Sequence, residues 1–160
     1  MATTEMIAIC PLSALSVDRG AAALLPDGTQ IGVFLLEDGS VHAIQQRDPY
    51  SGANILSRGL VGTHEVRADD GTVETVRTIA SPMYKQVWNL DTGEVIDAGG
   101  KQPQAIAVFD AEERDGHLYV ASSPHAATDA AAPATGDATP ETAAALPTTG
   151  RAATPERAEA

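Results

Sequence analysis

Two short loops carry the side chains in this sequence that are best suited to chemistry. In the first loop Asp48 and Tyr50 stand on either side of a proline; in the second, Ser81 precedes a proline and Tyr84 follows it. Carboxylate, phenol and hydroxyl oxygens can exchange hydrogen bonds, and they are also the ligands that hard cations such as ferric ion prefer. A simpler interpretation is that each loop is an ordinary turn, in which the aspartate or serine side chain bonds its own backbone.

Residues with softer metal-ligating side chains are few and scattered. Cys10 is the only cysteine, and its position beside a proline indicates a small buried hydrophobic residue. His42 and His117 fall in strand patterns, His64 falls in a predicted acidic surface loop, and His125 falls in the alanine-rich C-terminal segment. None of these spacings is typical of a zinc site, and one thiol excludes an internal disulfide or a thiolate cluster built by this chain alone.

The motifs of nucleophilic and nicotinamide chemistry are missing from the sequence. There is no Gly-x-Ser-x-Gly and no Gly-x-Gly-x-x-Gly after a predicted strand. No recognisable partner set accompanies Ser51, Ser57 or Ser81, and the glycine pair before Lys101 follows a turn and is predicted as a loop. We therefore expect no catalytic residue in this chain.

The composition divides the chain into one domain and a tail. Of the 40 residues in 121–160, 27 are alanine, threonine or proline, and Leu146 is the only large aliphatic residue among them. Such a segment buries too little apolar surface to offset its ordering entropy. We therefore predict a compact domain over 1–120 and a disordered tail over 121–160.

The charge, the apolar runs and the N-terminal residues of the chain exclude several classes of protein. The net charge is −12, and residues 1–120 hold 17 acidic against 8 basic side chains, without the Lys and Arg cluster that a nucleic-acid-binding face needs. No apolar run approaches the roughly 20 residues of a membrane-spanning helix. The N-terminal residues lack the basic start of a secretory signal. We therefore expect a cytoplasmic protein with no nucleic-acid or membrane partner.

Short strand-like runs separated by turn residues indicate an all-β fold. Aspartate-glycine or glycine positions suited to tight hairpins lie between the runs, and Phe34, Trp88 and Phe109 are predicted as core residues. Only a short turn near 12–18 departs from the pattern, which favours a small antiparallel β-sandwich or barrel. The predicted strands are 6–10, 21–25, 30–36, 41–46, 73–80, 86–90, 105–109 and 117–120.

Taken together, the two loops resemble the cluster-binding loops of Rieske iron–sulfur domains. That family carries a Cys-x-His loop and a Cys-Pro-x-His loop, which give two thiolates and two imidazoles to a [2Fe–2S] cluster. At the matching positions this sequence has Asp48 and Ser81 for the cysteines, and Tyr50 and Tyr84 for the histidines. The resemblance implies a Rieske-like fold. The four replacements imply that the cluster is absent, because oxygen ligands do not replace the thiolates that hold it.

The stretches 48–62 and 80–97 narrow the resemblance further. They are similar to the small subunit of assimilatory NAD(P)H-dependent nitrite reductase, and the similarity covers about 5–120, apart from a longer acidic insertion at 64–77. In that family the small subunit joins a large subunit that carries FAD, a [4Fe–4S] cluster and sirohaem and reduces nitrite to ammonium in nitrate assimilation. The resemblance implies an accessory chain whose partner is the large subunit, which also sets the choice between NADH and NADPH.

Two roles are open for the four replaced positions. Their oxygens can cross-link the loops in the place of a metal, since carboxylate, hydroxyl and phenol groups satisfy one another as donors and acceptors. Alternatively, Tyr50 and Tyr84 form a docking surface for the large subunit, because tyrosine combines a large contact area with a polar end. The two roles are compatible.

Two other functions compete with the nitrite reductase subunit. A cluster-free Rieske-like interaction or regulatory module would share every feature except the specific match of the two loop stretches. A Rieske [2Fe–2S] electron-transfer protein is less favoured, since all four ligand positions are changed. Co-purification separates the first two, because a free module would not capture a large redox flavoprotein.

Overall fold

The computed structural model describes residues 4–125 of the 160-residue chain. This part of the chain is all-β, as predicted, and two 3-10 helices, Leu12–Ala14 and Leu56–Arg58, interrupt the strands. Nowhere in residues 4–125 is there a helix long and apolar enough to cross a membrane. The ten strands are β1 Met6–Pro11, β2 Ala21–Leu24, β3 Gln30–Leu35, β4 Val41–Gln45, β5 Leu60–Arg67, β6 Val73–Ala80, β7 Val87–Asn89, β8 Val95–Asp97, β9 Val108–Arg114 and β10 His117–Pro124.

The strand predictions differ from the structure by more than one residue at four places. Strands β5 and β8 were not predicted, β9 begins and ends later than expected, and β10 continues past residue 120 to Pro124. The prediction of a surface loop around His64 was wrong, because His64 lies in β5 directly opposite Val76 of β6. Most side chains of β5 are exposed, so this strand is held by its pairing with β6 and carries little of the hydrophobic alternation that reveals a strand. Of the predicted tail, residues 126–160 lie outside the described residues.

The strands form two antiparallel sheets. The larger sheet has the order β1-β10-β9-β4-β3-β2, and the smaller has the order β5-β6-β7-β8. In the larger sheet, β3 carries a nearly continuous apolar run, and four of its six residues are buried. A strand with such a run is buried on both faces, and alternate residues of β3 and β4 do serve two separate hydrophobic clusters.

The two clusters divide the core between the faces of the larger sheet. The first lies towards the smaller sheet and contains Phe34, Trp88 and Ile79; the second contains Val33, Phe109 and Leu118. The three aromatic residues predicted as core are therefore buried. Cys10 is half-buried against the second cluster, and this burial raises the pKa of its thiol.

The smaller sheet and the end of β4 position the loops of interest. The segment 46–54 leaves β4, and an isolated bridge between Arg47 and Asn54 closes it. The segment 81–86 connects β6 to β7, so it is anchored at both ends in the same sheet. A third segment, 98–104, follows β8 at the edge of that sheet.

Candidate functional site

The first loop is built around a buried aspartate. The carboxylate of Asp48 is fully buried, and its Oδ1 accepts hydrogen bonds from the backbone N–H groups of Tyr50 (2.8 Å) and Ser51 (3.3 Å). The backbone of Asp48 also bonds Ala53 (2.8 Å) and Gly52 (2.8 Å), which closes the loop on itself. The aspartate thus makes the turn that its sequence pattern predicts, but in the interior of the protein.

The second loop is closed in a similar way around a buried serine. Ser81 is only 1% exposed, and its backbone N–H donates to the carbonyl of Gln86 at 2.8 Å. The Ser81 hydroxyl oxygen accepts the N–H of Met83 at 3.2 Å, and the Ser81 carbonyl accepts the N–H of Lys85 at 3.2 Å. Lys85 has a left-handed backbone, with φ of 66°, which turns the chain back towards β7.

A direct hydrogen bond joins the two loops. The hydroxyl of Ser81 donates to Oδ2 of Asp48 at 2.6 Å, and this bond is buried. Both carboxylate oxygens of Asp48 are then used as acceptors, and the Ser81 hydroxyl both donates and accepts. The two positions at which the resemblance expects cysteines therefore bond each other.

The third loop binds Tyr50, and sequence reasoning missed this. The hydroxyl of Tyr50 donates to the carbonyl of Gln102 at 2.9 Å and accepts the N–H of Gln104 at 3.0 Å. The carbonyl of Gln104 in turn accepts the indole N–H of Trp88 at 2.8 Å, and the rings of Tyr50 and Trp88 pack with centroids 5.9 Å apart. Tyr50 is thus a half-buried link between the first and third loops.

A glycine outside the three loops holds the far end of the third loop. The N–H of Ile106 donates to the carbonyl of Gly93 at 2.9 Å. Gly93 has φ of 75°, and a Cβ at this position would lie 2.0 Å from the carbonyl oxygen of Ile106. Only glycine permits this close approach, so the turn between β7 and β8 sets where segment 98–104 crosses Tyr50.

Removing the hydroxyl of Tyr50 tests this link. In Tyr50→Phe the Gln102 carbonyl and the Gln104 N–H lose their partner, while the ring still packs on Trp88. We expect the free energy of unfolding to fall by about 1 kcal/mol, measured by urea denaturation. Tyr119→Phe is a matched control, since the Tyr119 hydroxyl makes no hydrogen bond to residues 4–125 and its ring instead contacts the Arg114 guanidinium. Equal stability of the two variants would contradict the link.

Tyr84 is placed quite differently from Tyr50. Its side chain is 50% exposed, and the neighbouring Met83 is 54% exposed. The ammonium of Lys101 lies 4.3 Å from the ring centroid of Tyr84 and 5.7 Å from that of Tyr50, a cation–π arrangement that brings the second and third loops together. Of the two tyrosines, Tyr84 is thus the one available to a partner, and its docking role stays a prediction.

The four residues that the resemblance places at the Rieske ligand positions do not fit a [2Fe–2S] cluster. The cluster needs two thiolates and two imidazoles, whereas these positions offer a carboxylate, a hydroxyl and two phenols. The first two are bonded to each other, and the phenol of Tyr50 is bonded to the third loop. Cys10 packs against the other hydrophobic cluster, and residues 4–125 hold no group of three or more His, Cys, Asp or Glu side chains suited to a metal ion.

A second arrangement, at the opposite end of β4, has the outline of a Ser-His-Asp triad. His42 Nε2 lies 3.0 Å from the Ser40 hydroxyl, and Nδ1 lies 3.3 Å from Oδ1 of Asp91. The Ser40 hydroxyl also lies 2.5 Å from Oδ1 of Asp38, to which it donates, and the same aspartate accepts the Ser40 N–H. Its proton is thus directed away from the imidazole.

The same turn occurs twice more, which supports a structural role for Ser40. In 27–29 and 70–72 an aspartate accepts both the N–H and the hydroxyl of a threonine two residues later. At Ser40 these hydrogen bonds, together with Arg77, hold the pKa of Asp38 well below its ordinary value. We therefore interpret the cluster around His42 as a hairpin turn with a neighbouring histidine, and we do not assign Ser40 as a nucleophile.

The titration of His42 gives a testable pH dependence. Burial lowers the pKa of His42 below its ordinary value of 6.5, and the opposing effect of the Asp91 carboxylate is smaller. The unfolded state then binds a proton at His42 more readily than the folded state does. The contribution of His42 to the free energy of unfolding is therefore complete above pH 6.5, and it is lost as the pH falls from there towards the lower pKa of the folded state. We expect the melting temperature to fall less in His42→Gln than in the wild type between about pH 7.5 and 5. Parallel curves would contradict this.

The fold and the three loops define the class of protein. Over residues 5–121 the chain matches the Rieske-like [2Fe-2S] domains, and it belongs to that family. Within the family it is homologous to nitrite reductase small subunits. The small subunit of the nitrite reductase (NADH) of Escherichia coli K12 is 28% identical over 109 residues, which are 68% of this chain and 89% of that protein.

Two further relatives are similar to this chain. A crystal structure from Mycobacterium tuberculosis, assigned as an NADH-dependent nitrite reductase small subunit, is 34% identical and has a TM-score of 0.61, and the match covers 74% of this chain and 96% of that one. The nitrite reductase [NAD(P)H] large subunit of Klebsiella oxytoca is 34% identical over 113 residues, or 71% of this chain. This chain spans 10% of the length of the Klebsiella protein. The homology favours the small-subunit interpretation over a Rieske electron-transfer protein.

Proposed function

We propose that this chain is the small, accessory subunit of a cytoplasmic NAD(P)H-dependent nitrite reductase, which reduces nitrite to ammonium. The observation that carries the proposal is the match to the Mycobacterium tuberculosis small subunit, which covers 96% of that chain at 34% identity. A match that spans nearly the whole relative concerns the entire domain and is not confined to a shared loop. The partner in this proposal is the large subunit.

The proposed subunit works without an iron–sulfur cluster of its own. The support comes from the donor set, because Asp48, Ser81, Tyr50 and Tyr84 supply neither thiolate nor imidazole. The hydrogen bond from Ser81 to Asp48 and the bonds of Tyr50 to the third loop replace the cross-links that a metal would give the loops. Electron transfer is thus assigned to the cofactors of the large subunit.

The chain acts in this proposal through its surface, since we assign it no catalytic residue. The exposed group formed by Met83, Tyr84, Lys85 and Lys101 is here called the tip surface. It combines an apolar side chain and an aromatic ring, which suit a protein interface, with charged side chains at their edge. We propose that the tip surface contacts the large subunit, and that Tyr50 stabilises this surface through its hydrogen bonds to segment 98–104.

Capture of the partner tests this proposal. The full chain, tagged and expressed in its own organism during growth on nitrate, is purified and the captured proteins are identified by mass and visible spectrum. We expect a large chain with flavin and sirohaem absorption, and NAD(P)H-dependent nitrite reduction in the eluate. A chain that is stable and abundant but captures no redox flavoprotein would instead support the free interaction or regulatory module.

A further inference from the structure

Charge is distributed very unevenly over this domain. The three loop segments 46–54, 81–86 and 98–104 contain both lysines of the chain and one of its arginines, Arg47. They contain one acidic residue, Asp48, which is fully buried. The other 16 acidic residues of 1–120 lie outside these regions, so the loop end of the domain is basic while the rest of the domain is acidic.

The two lysines of the tip surface are exposed and form no ion pair with the part of the chain that the structure describes. Among residues 4–125, the carboxylates form ion pairs with Arg77 and Arg114 and contact the imidazoles of His42 and His125, and none of them pairs with Lys85 or Lys101. The nearest acidic residue in sequence, Asp97, accepts the N–H of Gly99 at 2.8 Å. The closed second loop holds the backbone of Lys85, and the ammonium of Lys101 lies over the Tyr84 ring. Both lysines are therefore neighbours of the exposed Tyr84, Lys85 in sequence and Lys101 by direct contact.

We infer that the tip surface docks on an acidic, partly apolar face of the large subunit. This inference rests on the proposed function and specifies the chemistry of the contact. An acidic face attracts Lys85 and Lys101 and repels the remainder of this acidic domain, so only the loop end is steered towards it. Met83 and Tyr84 supply the apolar contact once the two surfaces meet.

An anionic membrane is a poorer match to the same charges. Polybasic segments that bind anionic lipid have about 4–8 clustered Lys and Arg, whereas the tip surface has two lysines. The 17 acidic side chains of the domain would also be repelled by an extended negative surface, but a protein face is small enough to contact the loop end alone. A protein partner is therefore favoured.

The test compares charge reversals in the full chain. Binding to the purified large subunit is measured by surface plasmon resonance, at several salt concentrations, for wild type, Lys85→Glu, Lys101→Glu and the double variant. Arg67→Glu is the matched control for each single reversal, because it makes the same change of charge on an exposed residue at the end of β5. The other end of β5, Leu60, pairs with Ala80 next to Ser81. Vesicles of phosphatidylserine and phosphatidylcholine provide a second surface.

We expect the double reversal to raise Kd by about tenfold or more, chiefly through a slower association rate, and to flatten the salt dependence. Arg67→Glu should stay within about twofold of wild type, since its charge lies far from the contact. If wild type binds the large subunit but all variants and salt concentrations give the same Kd, this inference is wrong and the proposed function survives. If wild type does not bind at all, the proposed function fails. Binding to vesicles as tight as to the subunit would also overturn the inference.

Discussion

Replacing Asp48 by alanine should lower the free energy of unfolding by about 3 kcal/mol. Its carboxylate is fully buried and accepts hydrogen bonds from the Ser81 hydroxyl and from the N–H groups of Tyr50 and Ser51. Alanine leaves all three donors unpaired in the interior, and it separates the first loop from the second. Urea denaturation of the full chain, followed by far-UV circular dichroism, measures the loss.

A matched substitution separates this effect from the loss of an ordinary turn. Asp70 also accepts an N–H and a hydroxyl hydrogen bond, both from Thr72, but it lies exposed in the turn between β5 and β6. Asp70→Ala should therefore cost much less than Asp48→Ala, because water can satisfy the released groups. Equal losses in the two variants would show that the buried connection between the loops contributes nothing beyond its turn.

The second large effect is expected on assembly. Tyr84→Ala should weaken binding to the large subunit by about thirtyfold, or about 2 kcal/mol, as for an anchoring aromatic residue at an interface. Its stability should stay within about 0.5 kcal/mol of wild type, because the side chain is half exposed. Calorimetric titration gives the affinity and thermal unfolding gives the stability.

Two controls define the contribution of the Tyr84 ring. Leu24, on the edge strand β2, is 64% exposed, and Leu24→Ala should leave binding unchanged if the tip surface is the interface. Tyr84→Phe keeps the ring above Lys101 and should bind nearly as wild type. Normal binding by Tyr84→Ala would place the interface elsewhere, for example on the long hairpin of β5 and β6. The double variant Tyr50→Ala with Tyr84→Ala extends the binding test to Tyr50. Its binding can be interpreted in the same way only if the variant still unfolds cooperatively.

The fold class could be predicted from the sequence because the features that indicate it are local. Asp-Gly turns and short apolar runs specify hairpins, and most predicted strands appear close to their expected places. Strand β5 was missed because His64, Glu65 and Arg67 give it no apolar alternation, and its pairing with β6 is a tertiary effect. Asp70-Gly71 was predicted as a turn, but no strand was predicted directly before it, so the hairpin of β5 and β6 was not predicted.

The site was predictable in part, and long-range contacts explain the rest. The two proline loops and the oxygen donors at the ligand positions are visible in the sequence. The partner of Tyr50 is not, because Gln102 and Gln104 bond it through backbone atoms from more than 50 residues away. Backbone partners carry no residue signature, although the glycine pair and Pro103 mark 98–104 as a loop.

Iron binding at the four predicted ligand positions is the most direct test of a subunit without a cluster. The full chain, purified without oxygen and incubated with iron and sulfide under conditions that rebuild Rieske clusters, is assayed for bound iron and for its visible spectrum. Because hydrogen bonds from Ser81 and Tyr50 connect the loops and no thiolate is present at the four positions, we expect a colourless protein without stoichiometric iron. A stoichiometric [2Fe–2S] cluster with Rieske-type absorption would contradict it.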